Sequence, residues 1–133
     1  MCEGMPGGEL EPFMSGWYAR PVLAVREASA ALAFYSGKLG FREDWRHEED
    51  GALRIVQVSR DGCELILSDQ WPKEAGQARI FISLERADFD RLIAESAERG
   101  LALKPGQWGY ELQVVEDPDG NRLWFPEPAG PEA

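Results

Sequence analysis

Five tryptophans, at positions 17, 45, 71, 108 and 124, are the residues of this 133-residue chain best suited to chemistry, and that chemistry is binding. Four of them stand in or beside expected loops or at strand ends, where an indole can stack on a flat ligand. Rings next to acids favour a cation, through the ring quadrupole and direct ion pairing. Glu43, Asp44, Glu48, Glu49 and Asp50 form a dense acidic run around Trp45 that could attract a polyamine-like tail, although a solvated hairpin is the commoner origin of such a run. Bond-making chemistry has less support. Ser68 and Ser83 have no histidine in a matching context, and Cys63 follows a hairpin glycine with no basic neighbour to activate it, so it reads as a structural thiol. The only histidine, His47, sits in an Arg-His-Glu-Glu run that reads as solvent-facing, with a metal role beside Glu49 as the alternative.

The length suits one domain with a sizeable core. A net charge of -10 argues against nucleic-acid or anionic-membrane partners and permits a cationic ligand. Cys2 and Cys63 are too few for a disulfide framework, and no apolar run approaches the roughly 20 residues of a membrane span. The N-terminal segment carries acid and glycine where a signal peptide carries basic and apolar residues. A cytoplasmic protein is expected, with residues 1–15 a flexible arm, 16–128 a single domain and 129–133 a flexible tail.

Two similar halves must position the tryptophans. Tyr18 to Val25 reads as a strand. Ala28, Ala31, Leu32, Tyr35 and Leu39 fall on one helical face, capped by Glu27 or Ser29 and stopped at Gly40. Arg42 to His47, Leu53 to Ser59 and Cys63 to Ser68 read as strands separated by Asp50-Gly51 and Asp61-Gly62 turns. The order then recurs. Arg79 to Leu84 is an expected strand, Phe89, Leu92, Ile93 and Ser96 a helix ending at Gly100, and Leu101 to Lys104, Tyr110 to Glu116 and Arg122 to Phe125 three further strands. Gly40-Phe41 and Gly100-Leu101 lie 60 residues apart, and Asp61-Gly62 and Asp119-Gly120 lie 58 apart. The fold class is therefore α+β: two tandem βαβββ modules, 17–69 and 79–127, joined by a linker over 70–78. They form a cupped mixed sheet whose bare face must be shared between modules or with another chain, as a pair or by strand exchange in a dimer.

Pro21-Val22-Leu23-Ala24-Val25, the helix end from Ala33-Phe34-Tyr35 to Leu39-Gly40-Phe41, and the turn Asp117-Pro118-Asp119-Gly120-Asn121 resemble the glyoxalase, bleomycin-resistance and extradiol-dioxygenase superfamily, the vicinal oxygen chelate fold. The resemblance covers residues 17 to 127. Metal-using members take one ligand from each of four strands, and the matching positions here are Arg20, a residue near Ile66, a residue near Arg79, and Trp124. Arg has no available lone pair and the Trp indole only donates, so the resemblance implies no metal site and no cofactor. Within the superfamily, the metal-free bleomycin-resistance proteins are the nearest likeness. Leu39-Gly40-Phe41-Arg42-Glu43-Asp44-Trp45 resembles their cleft segment, which implies ligand-binding roles for Asp44 and Trp45. Gln107-Trp108-Gly109-Tyr110-Glu111 resembles the facing wall, which implies the same for Trp108, Gly109 and Tyr110.

The expectation is thus a homodimeric binding protein that sequesters a cationic aromatic antibiotic or similar small molecule in a dimer-interface cleft. No catalytic residue is assigned. Trp45 and Trp108 would stack on the ligand, and Asp44 and Glu49 would meet positive charge. Trp71 serves either as a lid or as a hydrophobic anchor, and Trp124 either fills the vacated metal position or floors the pocket. Arg20 and Arg79 either hold an anion or are neutralised by Glu64 and Glu111. A metal-dependent glyoxalase or dioxygenase and a small-molecule sensor or scaffold remain the alternatives.

Overall fold

The computed structural model describes residues 16–109 and 111–128, so the arm 1–15, Tyr110 and the tail 129–133 lie outside the described residues. Strands β1 (Val22–Ala24), β2 (Arg42–Glu49), β3 (Ala52–Arg60) and β4 (Cys63–Ser68) form one four-stranded sheet in the order β1-β4-β3-β2. Strands β5 (Arg79–Phe81), β6 (Lys104–Gln107), β7 (Glu111–Glu116) and β8 (Arg122–Pro126) form a second in the order β5-β8-β7-β6. Helix α1 (Ala28–Gly37) follows β1, and α2 (Arg86–Arg99) follows β5. In each sheet the first and last strands of the module pair in parallel and the others are antiparallel, so both sheets are mixed and the same βαβββ unit occurs twice.

Local chemistry explains most boundaries. Asp50 and Gly51, and Asp61 and Gly62, all take positive φ, the backbone that two-residue hairpins require. Helix α2 buries Phe89, Leu92 and Ser96 at helical spacing and ends at Gly100 in the left-handed region, where Leu101 N–H bonds Ser96 O at 2.9 Å. That bond corrects one expectation. Leu101 is spent on closing the helix, and β6 forms later, over Lys104–Gln107, taking in Pro105 and Gly106. An edge strand accommodates Pro because its free side needs no donor. Three other elements are shorter than expected. The first strand spans only Val22–Ala24, β5 stops at Phe81, and α1 ends at Gly37 with Gly40 turning the chain just beyond it. Glu27 precedes α1 without a side-chain capping bond.

One apolar cluster serves both modules, with Leu23, Tyr35, Val56, Val58, Leu65 and Leu67 from the first and Phe89, Leu92, Val115, Leu123 and Phe125 from the second. The turn between β7 and β8 fastens them together. Buried Asp117 accepts from Tyr35 Oη at 2.9 Å and Asn121 Nδ2 at 3.0 Å, and its other oxygen accepts the backbone N–H groups of Asp119 and Asn121, both at 2.9 Å. Burial, with the Asp117 carboxylate beside it, raises the Tyr35 pKa far above that of a free phenol, so the hydroxyl stays a donor. Asn121 also donates to Ala24 O in the first module and accepts from Ala78 N, while Asp119 binds Arg26. Gly76 completes the joint: a Cβ there would lie 2.0 Å from Asp119 O. The Asp-Pro-Asp-Gly-Asn segment is therefore an inter-module clasp as well as a hairpin.

Candidate functional site

Register decides which side chains share a sheet face. On the first sheet, Trp45 pairs with Gln57 and Glu43 with Val58, so Asp44 is the extra residue of a β-bulge. The bulge brings both Asp44 and Trp45 onto Gln57. Gln57 Oε1 accepts from Arg20 Nη1 at 2.6 Å and Trp45 Nε1 at 3.1 Å, and its Nε2 donates to Asp44 Oδ2 at 2.9 Å. Ser59 Oγ donates to Asp44 Oδ1 at 2.9 Å, and Arg42 Nε lies 3.5 Å from the same oxygen. Gln57 and Ser59 are buried, and the network satisfies both oxygens of Asp44 from within the protein. Glu64, paired with Ser59, is left out: its Oε1 is buried with no hydrogen-bond partner, and burial raises its pKa.

The second sheet presents a different face. Phe81 and Trp124 are register partners on β5 and β8, and Trp108 extends from the loop after β6 to meet both. Trp108 lies 5.2 Å from the Trp124 ring and 5.7 Å from Phe81, edge-on in each case. Trp108 is 59% exposed and Phe81 42%. These rings, with Arg79 and Ile80, line a cavity of about 390 Å³, and Trp124 Nε1 is buried without a partner. A larger cavity of about 490 Å³ lies elsewhere, between Arg60, Cys63, Leu84 and Leu92, and no expected ligand contact lines it. Its Cys63 thiol is free, with its pKa raised by burial.

The expected contacts therefore fall into separate groups. Arg20, Asp44 and Trp45 are together on the first face, and Trp108 and Trp124 on the second. Gly109 follows Trp108 with φ +70 and open space around it. Glu49 lies at the far end of β2, paired with His47 at 3.1 Å, both side chains about half exposed. Half-exposed Trp71 precedes the short turn Pro72–Glu74 in the linker; its carbonyl accepts from Glu74 N–H at 2.9 Å, and its indole makes no ring contact or hydrogen bond among the described residues. The acidic run is largely spent internally: Arg46 bonds Glu43 and Glu48, holding the Glu43 carboxyl below its usual range. The Arg79 guanidinium is not neutralised by Glu111 and has no ion-pair or hydrogen-bond partner among the described residues, while its backbone lies in the β5–β8 ladder. Gln57 and Phe81 were absent from the expected set. The alternation Ile55-Val56-Gln57-Val58-Ser59 marks Gln57, since it opposes the two core valines, and the parallel pairing of β5 with β8 sets Phe81 directly opposite Trp124.

The sequence profile of the Glyoxalase/Bleomycin resistance protein/Dioxygenase superfamily matches residues 17–125. The chain belongs to that superfamily. No curated protein matches it in sequence. Among solved structures similar to this superfamily member, the glyoxalase/bleomycin resistance protein of Catenulispora acidiphila is 25% identical with a TM-score of 0.69, over 86% of this chain and 100% of that one. TnmS3, an antibiotic binding protein from a Streptomyces species, is 24% identical with a TM-score of 0.66, over 87% and 99%. The bleomycin-binding protein of bleomycin-producing Streptomyces verticillus, complexed with copper(II)-bleomycin, is 23% identical with a TM-score of 0.65, over 86% and 98%. The metal positions of the superfamily's enzymes do not fit a metal here. Arg20 and Trp124, at two of those positions, offer no lone pair suited to a divalent ion, and no group of three His, Cys, Asp or Glu that could hold a metal occurs among the described residues.

Proposed function

We propose that this protein is a metal-free small-molecule binder of the bleomycin-resistance type, a cytoplasmic homodimer that sequesters an aromatic antibiotic or similar ligand without making or breaking a bond. The observation that carries the reading is the slot between Phe81, Trp108 and Trp124, where two of three large rings remain open to solvent. Exposed rings clustered around a cavity are costly in water and favourable against a planar ligand. Val22 on β1 is 53% exposed and stands on the corresponding edge strand of the first module. A second protomer would cover such edges and set the polar face of one chain against the aromatic face of the other. Asp44 then acts mainly by fixing Trp45 through Gln57.

Titration of the protein with metal-free bleomycin, followed by tryptophan fluorescence, tests this. Quenching is expected, with the Trp108→Ala variant binding at least about tenfold more weakly, the size of a stacking hot spot, while sedimentation still shows a dimer. Unchanged affinity in that variant contradicts the reading, as does a stoichiometric transition metal that survives dialysis.

A further inference from the structure

We infer that the second-module face is selective for a planar ring bearing an anionic substituent, with the ring in the slot and the anion on Arg79; this rests on the binding reading above and adds the charge of the ligand. The slot is unbalanced in its hydrogen-bonding chemistry. Its side-chain polar groups are the Arg79 guanidinium and the indole N–H groups of Trp108 and Trp124, all donors and none an acceptor. Trp124 Nε1 is already a buried donor without a partner. Such a surface is complementary to a ligand that brings acceptors.

The position of Arg79 adds direction. It pairs in register with Arg122, just as Phe81 pairs with Trp124 two residues on, so the two guanidiniums start from the same face as the rings. A notch of about 370 Å³ lies between Arg79, Arg122 and the backbone of Gly76 and Gly120, and it shares Arg79 with the aromatic slot. The nearby acids are engaged elsewhere. Glu116 sits 4.0 Å from Arg122 Nε and 3.4 Å from Lys104 Nζ, and Asp119 is bound to Arg26 at 2.9 Å. Arg79 therefore keeps its planar fork of donors for a carboxylate, sulfonate or phosphate. The overall charge of -10 works against anions at long range, so a preference for one would report this local site and not general attraction.

Three probes that differ only in charge test this: 2-naphthoate, 2-naphthamide and 2-naphthylmethylammonium, titrated by calorimetry into the full chain and its Arg79→Gln, Arg79→Lys and Trp108→Ala variants. In the wild type, 2-naphthoate is expected to bind about tenfold more tightly than the amide, the contribution of one charge-assisted hydrogen bond, and the ammonium most weakly. Arg79→Gln should bring 2-naphthoate to within about twofold of the amide, with a cooperative thermal unfolding transition showing that the variant is folded. Arg79→Lys should recover only part of the preference. The inference is overturned if the ammonium binds tightest, or if the preference for 2-naphthoate survives Arg79→Gln. Either result leaves the aromatic slot standing so long as Trp108→Ala weakens all three probes. If none of the three binds, or Trp108→Ala changes none, the binding reading itself fails.

Discussion

The two sheets are copies of one unit, yet one face is closed and the other open. On the first, Gln57 ties Arg20, Trp45 and Asp44 into a network whose members satisfy one another. On the second, three aromatic rings and Arg79 surround a cavity, and a buried indole N–H lacks a partner. The strand order is the same in both. The contrast lies in which side chains fill the face: an amide and a hydroxyl from β3 on the first, rings and a guanidinium from β5, β8 and the loop after β6 on the second. A duplicated scaffold thus spends one face on internal order and leaves the other for recognition.

The largest effect should come from cutting the clasp that holds the two faces in one molecule. Asp117→Ala removes a buried carboxylate with four hydrogen bonds and strands the Tyr35 hydroxyl and the Asn121 amide. A loss of about 3 kcal/mol or more in chemical denaturation is expected, since hydrogen bonds to charged groups contribute about 1.5–3 kcal/mol each and do not add fully. A cost below about 1 kcal/mol would show that the modules hold together through apolar packing alone.

Next in size is a paired substitution that sets the faces against each other. Gln57→Leu should destabilise the fold by about 1–3 kcal/mol by leaving buried partners unpaired. Trp108→Ala, removing a largely exposed ring, should cost under about 1 kcal/mol of stability while weakening ligand binding. Reversal of that order in denaturant melts would dissolve the distinction between an ordered face and a receptive one.

The sequence made the architecture readable because its punctuation repeats: Gly40 and Gly100 turn the chain at positive φ after corresponding helices, and Asp-Gly turns recur at matching places. The position of β6 is hidden because Pro105-Gly106 has breaker chemistry, and only the sheet order reveals an edge strand that tolerates it. The site was legible in residue type more than in grouping. Trp108 and Trp124 stand out as aromatics at strand ends, but their meeting depends on the path of the loop after β6, which no local rule sets. The acidic run around Asp44 pointed to a cation. A β-bulge directs Asp44 onto Gln57 and Ser59, Arg46 pairs with Glu43 and Glu48 at the surface, and neither follows from composition.

The smallest effect concerns Glu64, whose Oε1 is buried without a hydrogen-bond partner beside the ordered face. Burial disfavours its charged form, so its folded pKa lies above its unfolded one. The ionised carboxylate costs stability above that folded pKa, and the cost disappears as pH falls through it and the side chain protonates. Glu64→Gln should therefore melt slightly higher than the wild type at pH 7 and at the same temperature near pH 3. A variant less stable than the wild type at pH 7 would mean that the carboxylate has a partner holding its charge.

The most direct test of the central claim, that ligands meet the second face, is a ¹H–¹⁵N spectrum of the indole N–H groups, one for each of the five tryptophans, assigned by single Trp→Phe variants. Metal-free bleomycin and the neutral probe 2-naphthamide are titrated in turn. The account predicts that the Trp108 and Trp124 resonances move first and furthest while Trp71 stays in place. Shifts confined to Trp71 or Trp17, or none with either compound, would contradict it.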